Sequence, residues 1–164
     1  MLKDERLLMD PAETKSLAPP AEFIEFFADA WRTGATQPKR FFEHFSGRLT
    51  ADAAMIQPFS RVARGPGGLR QLFEPLFRVM PDLRGEVVRW GATEDGVLIE
   101  LDLRGTFGGR PVKLTTVDRI ILRDGVIMER RAYFDPLPLV RALPSRPAAS
   151  LKLLVMMLSR KETR

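Results

Sequence analysis

The chain has 164 residues, is 45% hydrophobic and 29% charged, and carries a net charge of +5, as expected for one soluble globular domain. It has no cysteine and one histidine, His44, which excludes thiol nucleophiles, disulfides and metal sites built from cysteine or histidine. We expect no metal and no cofactor.

The charges and the two ends of the chain limit the partners and the location. The 20 arginines are spread along the sequence, whereas a nucleic-acid binder concentrates them on one face, so no nucleic-acid partner is expected. The start, "MLKDERLLMDPAE", carries acids and does not resemble a signal peptide. The longest apolar run, "LLVMML", is too short to span a bilayer. We expect a cytoplasmic protein.

Helices are predicted in the first half of the chain. Residues 1–20 form an arm that ends in "LAPP", and "PPAEFIEFFADAWRTG" then repeats apolar residues at helical spacing. A second, short helix is predicted at "PKRFFEHFSGRL", followed by the extended segment "AAMIQPF". A third helix follows the glycines of "RGPGG" and is stopped by "MPDL".

Beyond residue 84 the apolar period changes to two, which predicts four strands. They are "EVVRWGA", "VLIELDLRG", "VKLTTVDRIIL" and "VIMERRAYF", joined by the turn signals "TEDG", "TFGGRP" and "RDG". Helices followed by a meander indicate an α+β fold, with a curved, mainly antiparallel sheet wrapped around the N-terminal helices. We assign residues 21–143 to this domain and residues 144–164 to a tail with a short apolar helix.

The tail, "SLKLLVMMLSRKETR", has several interpretations. It docks onto its own domain, closes a pocket mouth, or packs on a partner copy. Membrane contact is the least favoured of these, because only one lysine lies within the apolar helix.

The run "VKLTTVDRIILRDGVIMERRAYFDPLPLV" resembles the nuclear transport factor 2-like superfamily of cone-shaped domains. This group includes ketosteroid isomerases, SnoaL-like polyketide cyclases and limonene epoxide hydrolases. The resemblance covers roughly residues 21–143 and implies a deep apolar pocket between the helices and the concave face of the sheet. It also implies a small hydrophobic molecule as ligand and a homodimer formed through the outer face of the sheet.

The residues that isomerases of this group use are mostly absent. The position of their base aspartate, before the proline of the extended segment, holds Gln57. The position of their tyrosine on the first helix falls at Phe27, and Asp118 matches their second, protonated aspartate. Because the base is missing, ketosteroid isomerase activity is not expected.

The catalytic residues of the epoxide hydrolases are also absent. Their Arg-x-Asp pair and their aspartate on the last strand fall at Ile99, Leu101 and Ala132. Their tyrosine and asparagine that hold water correspond to Met55 and Gln57. Epoxide hydrolase activity is therefore not expected, whereas the acid that SnoaL-like cyclases need on the inner wall has a candidate in Asp118.

The turn before the last strand decides which residues share a face with Asp118. A two-residue turn would pair it with the face of Glu129 and Tyr133. A three-residue loop, Arg123-Asp124-Gly125, would instead pair it with the more apolar face. We predict the three-residue loop, because burial sets the register and this choice sends Asp118 inward. The residues on that partner face are Val126, Met128, Arg130, Ala132 and Phe134.

Asp118 then has two interpretations. As an isolated acid among apolar residues it would be protonated and ready to contact a ligand. As the partner of Arg130 or Arg119 it would be a structural ion pair. Other residues expected to line the pocket or contact the ligand are Gln57, Phe27, Trp31, Phe59, Trp90, Ile99, Leu101, Thr116, Arg130, Ala132 and Phe134.

Two functions remain open on the sequence. One is a non-catalytic domain that binds a small apolar molecule, and the other is a SnoaL-like cyclase or isomerase that uses Asp118. The second acid of the signature run, Asp135, falls on the face away from Asp118. Because Pro136 follows it, we predict that Asp135 caps the short helix "PLPLVRAL".

Overall fold

The computed structural model describes residues 20–58 and 60–142, and it places four α-helices around one sheet. The first helix carries Phe and Trp at positions three and four apart, and a proline begins the second helix, as predicted. A short 3-10 turn, Gly34–Thr36, separates these two helices. The helices are α1 (Pro20–Thr33), α2 (Pro38–Ser46), α3 (Gly65–Val79) and α4 (Leu137–Ala142).

One sheet holds all six strands of the described residues, in the order β2-β1-β6-β5-β4-β3. The neighbours pair antiparallel except β1 and β6, which run parallel. Helix α1 packs against β3, and α3 packs against β1 and β2. The strands are β1 (Leu49–Ile56), β2 (Ala63–Arg64), β3 (Arg84–Thr93), β4 (Gly96–Phe107), β5 (Arg110–Arg123) and β6 (Val126–Phe134).

The core lies between the helices and the concave face of the curved, unclosed sheet. Alternation along β4 buries Val97, Ile99 and Leu101, while Leu98 and Glu100 face the other way. The helices contribute a cluster of aromatic rings in which most pairs meet edge to face. The predicted α+β class is confirmed, whereas the two-residue strand β2 was not predicted.

The turn between β5 and β6 differs from the prediction. Arg123 pairs with Val126, so the loop has two residues, and both Asp124 (φ 52°) and Gly125 (φ 76°) are left-handed. The extra residue is Met128, at a bulge between β5 and β6. The three-residue loop is therefore wrong, but the bulge shifts the register by the same one residue. Ile127, rather than Val126 or Met128, is the buried residue beside the turn.

Some predictions fall on residues that the structure does not describe. The N-terminal arm up to residue 19, Phe59, and the tail with its apolar helix lie outside the described residues. Among the helices that are described, none is long and apolar enough to cross a membrane.

A close backbone contact fixes the turn between α1 and α2. Gly34 has a φ of +49°, and a Cβ at this position would lie 2.3 Å from the carbonyl oxygen of Leu83. That same oxygen accepts a hydrogen bond from the Ala35 N–H at 2.7 Å. Neither the conformation nor the space suits a side chain.

We therefore expect the Gly34→Ala substitution to lower the free energy of unfolding by about 2 kcal/mol, because strain and the clash act together. Urea denaturation measures this change. Gly91→Ala is the matched control, since a Cβ there meets no atom within 4 Å. An equal loss in both variants would show that the contact with Leu83 is unimportant.

Candidate functional site

Asp118 points into the core from the middle of β5, as predicted. Its neighbours across the sheet are Ile99 on β4 and Ala132 on β6, and its side chain is 0% exposed. The concave face of the sheet carries this carboxylate because the apolar residues Ile120 and Val112 alternate with exposed ones along the same strand. A buried carboxylate needs a partner, and the structure provides one.

Arg130 and Asp118 form a buried, bidentate ion pair. Arg130 Nε donates to Asp118 Oδ2 at 2.7 Å, and Arg130 Nη2 donates to Oδ1 at 3.0 Å. Arg130 lies on β6, opposite Ile120, so its side chain reaches diagonally across the sheet. This is the fork geometry that makes arginine–carboxylate pairs strong and directional.

The pair leaves one nitrogen unused. Arg130 Nη1 is shielded from water and has no hydrogen-bond partner among the described residues. Arg130 as a whole is 8% exposed, and its guanidinium carbon lies 5.3 Å from the centre of the Phe73 ring. This cation–π contact stabilises the guanidinium, but it does not replace a hydrogen bond for Nη1.

Opposing effects act on the ionisation of Asp118. Burial raises the pKa of Asp118 above its ordinary value, while the charge of Arg130 and its two hydrogen bonds oppose that rise. Both carboxylate oxygens are already occupied by Arg130 donors. Asp118 is therefore held as the partner of Arg130 rather than directed at a cavity.

The other proposed partner of Asp118 lies on the opposite face. Arg119 contacts Asp95 at 2.5 Å and Glu129 at 3.6 Å, on the outer face of the sheet. Of the two interpretations of Asp118, the ion pair is present, and its partner is Arg130 rather than Arg119.

Arg130 lines a small cavity in the core. Its volume is about 10 Å³, which is enough for about one water molecule. The deep apolar pocket implied by the resemblance is therefore not open in the described part of the chain, because phenylalanine rings fill it. The lining residues are Phe27, Trp31, Phe41, Phe45, Leu49, Met55, Leu69, Phe73, Ile120, Ile127 and Arg130.

The predicted ligand-contacting residues fall into three groups. Phe27, Trp31 and Arg130 line the cavity. A second group lies on the concave face around Asp118 but does not line the cavity. Its members are Ile99, Leu101, Thr116, Ala132 and Phe134. Gln57 follows β1, is half-buried, and does not reach the cavity either.

Trp90 is placed differently from the prediction. It is 43% exposed and lies in an open groove of about 750 Å³ between α1 and β3. β3 is an edge strand with a bulge after Val87, and Trp90 lies beyond this bulge. Charged side chains such as Arg32 and Arg89 border this groove, and each is paired with an acid.

Sequence reasoning missed most of the aromatic lining. Phe41 and Phe45 are four residues apart on α2, and Leu69 and Phe73 are four apart on α3. This spacing puts each pair on one face of its helix, so the signal was present. The spacing does not reveal that both pairs line the same cavity as Arg130 of β6.

Asp135 has the structural role that was predicted. It is exposed, and its Oδ1 accepts a hydrogen bond from the backbone N–H of Leu137 at 2.9 Å. This bond satisfies a free donor at the first turn of α4. Asp135 is therefore a helix cap and takes no part in the interior site.

Asp102 is the best-paired acid on the outer face. Hydrogen bonds from Lys113 Nζ and Thr115 Oγ1, both 2.7 Å long, hold the pKa of Asp102 below its ordinary value of 3.8. A lowered pKa means that the unfolded chain binds the proton more tightly. Asp102 therefore stabilises the fold above pH 3.8, and this stabilisation is lost as the pH falls.

We expect Asp102→Asn to lower the free energy of unfolding by about 1 kcal/mol at pH 7. The difference from the wild type should be smaller at pH 3, because the stabilisation by the ionised carboxyl is lost progressively below pH 3.8. Urea denaturation at both pH values measures it, with the exposed Asp124→Asn as control. A loss that is the same at pH 3 and pH 7 would contradict the ionic origin.

The architecture and the site define a class of protein: a cone of helices and curved sheet, of the nuclear transport factor 2-like type. The model of the SnoaL-like domain matches residues 24–130, which is more than half of the chain. The chain therefore belongs to the SnoaL-like domain family. The comparison with curated protein sequences gives no match.

Solved structures share this fold at low sequence identity. A protein from Jannaschia Sp. CCS1 that is assigned to the SnoaL-like polyketide cyclases is 19% identical, with a TM-score of 0.66, and the match covers 77% of this chain and 94% of that one. IdmH from Streptomyces antibioticus is 21% identical, with a TM-score of 0.63 and coverages of 76% and 98%. An LEH-like epoxide hydrolase of M. tuberculosis is 20% identical, with a TM-score of 0.58 and coverages of 83% and 95%. At such identities the likeness establishes the fold, and the activities differ.

Proposed function

We propose that this SnoaL-like protein binds a small, mainly apolar molecule inside the cone and does not use Asp118 as a catalytic acid. The observation that carries the proposal is the buried Nη1 of Arg130, which finds no partner in the described part of the chain, together with a cavity that Arg130 and aromatic rings line. Buried polar groups are almost always hydrogen-bonded, so an unused charged donor in the core calls for an explanation.

The lining suits an apolar ring. Phenylalanine and tryptophan side chains surround the cavity, and apolar walls with few polar groups are typical of small-molecule sites. Because the cavity measures only about 10 Å³, a ring enters only when lining side chains turn aside. Phe45 and Leu49 are candidates for this movement. Both line the cavity, and Phe45 lies near the end of α2 while Leu49 is the first residue of β1. We expect slow association for this reason.

The absence of acid catalysis follows from the pairing of Asp118. A general acid or base must reach the reacting atoms of the ligand, directly or through one water. Here Arg130 occupies both oxygens of Asp118, and Arg130 lines the cavity whereas Asp118 does not. Asp118 therefore orients Arg130, and Arg130 faces the ligand.

A thermal-shift screen with apolar ring compounds, at pH 5 and pH 8, tests the proposal. A ligand that binds only the folded state raises the melting temperature in proportion to its occupancy. We expect one- and two-ring compounds to raise it in the wild type. If such compounds shift no melting temperature at either pH, even after overnight incubation, binding inside the cone is refuted.

A SnoaL-like enzyme is the second candidate, and one observation favours it. Burial raises the pKa of Asp118, which is the direction expected of a carboxyl that donates a proton. In that case Asp118 would act as the acid on a hydrophobic ring substrate. Mass spectrometry of ring compounds incubated with the wild type and with Asp118→Asn separates the two candidates: a product made only by the wild type would establish the enzyme.

We also propose that two copies pair through the outer face of the sheet. Val117 and Tyr133 are direct neighbours on β5 and β6, with exposures of 37% and 52%, and Leu98 on β4 is 40% exposed. An apolar patch on one face of a sheet, bordered by charges such as Arg119 and Arg131, is typical of a contact surface.

Light scattering after size-exclusion chromatography tests this pairing. We expect the mass of a dimer for the wild type and of a monomer for Val117→Lys. Val62→Lys is the control, because Val62 is 51% exposed but lies outside β5 and its neighbours. A monomeric wild type at concentrations of about 100 μM would exclude all but the weakest interfaces.

A further inference from the structure

The guanidinium of Arg130 divides its hydrogen bonds unevenly. Nε and Nη2 face Asp118 at 2.7 and 3.0 Å, while Nη1 has no partner among the described residues and is shielded from water. A charged donor that is buried without an acceptor destabilises the fold, because it has lost its hydrogen bonds to water. An acceptor on a ligand inside the core would supply the missing hydrogen bond of Nη1, whereas an acceptor outside the core would not reach this atom.

The surroundings of Nη1 limit where that acceptor lies. Of the described residues that line the cavity, Arg130 alone carries a charge. Phe73 covers one face of the guanidinium at 5.3 Å, and Asp118 occupies its edge. The cavity therefore offers the approach to Nη1, through a space bounded by apolar side chains.

The charge of the pair limits the kind of acceptor. Both oxygens of Asp118 accept hydrogen bonds from Arg130, which favours the ionised carboxylate. The pair then has no net charge, so an entering anion gains no net attraction at long range. The anion would also lose its hydration in an aromatic interior, which opposes its binding. A neutral carbonyl oxygen has a much smaller hydration energy to lose, and it still accepts a charge-assisted hydrogen bond.

We infer that Arg130 is the specificity-determining contact of this site, and that it selects a ring ligand with a neutral carbonyl oxygen, such as a ketone, ester or quinone, over its carboxylate and hydrocarbon analogues. Asp118 is the positioning residue, which holds Nε and Nη2 and leaves Nη1 for the ligand. This inference rests on the proposed binding function, and it assigns the hydrogen bond to Arg130 rather than to Asp118.

Three probes of similar shape test the selection in the wild-type protein at pH 7. Acetophenone carries the carbonyl, α-methylstyrene replaces the oxygen with a methylene group, and benzoate carries a carboxylate. Titration calorimetry measures their dissociation constants. We expect acetophenone to bind about tenfold or more tightly than α-methylstyrene, the value of one charge-assisted hydrogen bond after desolvation. Benzoate should bind more weakly than acetophenone.

Variants assign the effect to Nη1. Asp118→Leu combined with Arg130→Met removes the pair without leaving a buried charge, and it should bring the ratio of the two neutral probes close to one. Arg130→Lys keeps a positive charge beside Asp118 but lacks Nη1, so it should also reduce the ratio of the two neutral probes. It provides the test if the double variant does not fold. Arg131→Met is the matched control, since the next residue on β6 faces the other side of the sheet, and its ratio should equal that of the wild type.

The outcomes separate the inference from the proposed function. If neither neutral probe binds, binding inside the cone fails and the inference fails with it. If both neutral probes bind the wild type equally, the proposed function stands and the selection by Arg130 is overturned. A ratio that survives both Arg130 variants, or benzoate as the tightest probe, also overturns it. A carbonyl preference that disappears with Arg130 and persists in Arg131→Met supports it.

Discussion

The Arg130→Met variant should lose about 3 to 5 kcal/mol of folding free energy at pH 7, one of the two largest effects expected here. Methionine replaces the apolar stem of the arginine on β6 with an unbranched apolar side chain. It leaves the carboxylate of Asp118 without either of its two hydrogen-bond donors. Asp118 is 0% exposed, so water cannot replace the lost bonds. The loss measures the cost of an unpaired buried charge, and it is not the net value of the pair.

The pH dependence of this variant identifies the cause. Without Arg130, burial raises the pKa of Asp118 further above its unfolded value of 3.8, so the folded protein binds more protons than the unfolded chain. Stability contributed by such an acid is present below pH 3.8 and falls as the pH rises, by about 1.4 kcal/mol per pH unit until the folded pKa is reached. The deficit relative to the wild type should thus be much smaller at pH 4 than at pH 7.

Urea denaturation of three proteins completes this test. Arg131→Met makes the same substitution one residue later, at a side chain that is 41% exposed, and it should change stability by no more than about 0.5 kcal/mol. The Asp118→Leu, Arg130→Met double variant should regain most of the loss, because an apolar pair can replace a buried ion pair. A double variant as unstable as the single one would show that packing around Arg130, and not charge, causes the effect.

The sequence was sufficient for the fold because two signals in it are strong. The apolar period changes from that of helices to that of strands near residue 84, where β3 begins. Glycine and proline mark the ends of the elements, and burial on one face determines which residues of each strand point inward. The inward direction of Asp118 could be predicted for this last reason.

The hairpin between β5 and β6 shows what burial cannot determine. Burial fixes only the parity of the pairing, that is, which residues face inward. An extra residue in the loop and an extra residue at a bulge give the same parity. Asp124-Gly125 suits a two-residue turn, so the bulge at Met128 provides the shift instead. Nothing in the local sequence around Met128 distinguishes these two solutions.

The site was less predictable than the fold because it depends on distances. Asp118 is either a free acid or the partner of Arg130, depending on whether the Arg130 side chain reaches diagonally from β6 to β5. The spacing of residues in the sequence does not give this distance. The size of the cavity depends on how aromatic rings from α1, α2 and α3 fit together. The spacing of Phe41 and Phe73 shows that they face inward, but not how much space they leave.

The Phe41→Ala variant is the second large effect that we expect, with a loss of about 3 to 5 kcal/mol. Phe41 is 0% exposed, and its ring centre lies 4.9 to 5.6 Å from those of five other rings. Removing it forfeits the burial of a large apolar surface and leaves a cavity that rigid neighbours cannot fill. The five rings belong to Trp31, Phe42, Phe45, Phe73 and Phe77.

Phe26→Ala is the matched control for this substitution. Phe26 is only half-buried and stacks on His44 at the surface between α1 and α2, with the ring centres 4.1 Å apart. Its removal should cost about 1 to 2 kcal/mol, because less apolar area is exposed to water. Chemical denaturation of both variants at the same pH measures the difference.

The Phe41→Ala variant also tests the proposed binding function, because Phe41 and Arg130 line the same cavity. Its removal should open space of the size that binds benzene in other apolar cores, so benzene should raise the melting temperature of Phe41→Ala by several degrees. The wild type should respond less and more slowly, since its rings must first move. If benzene stabilises Phe26→Ala as much as Phe41→Ala, the new space is not continuous with the cavity. An interior that admits a ring only where Phe41 is missing would mean that the wild-type cone is a packed core, and the small-molecule function would then have to lie elsewhere on the molecule.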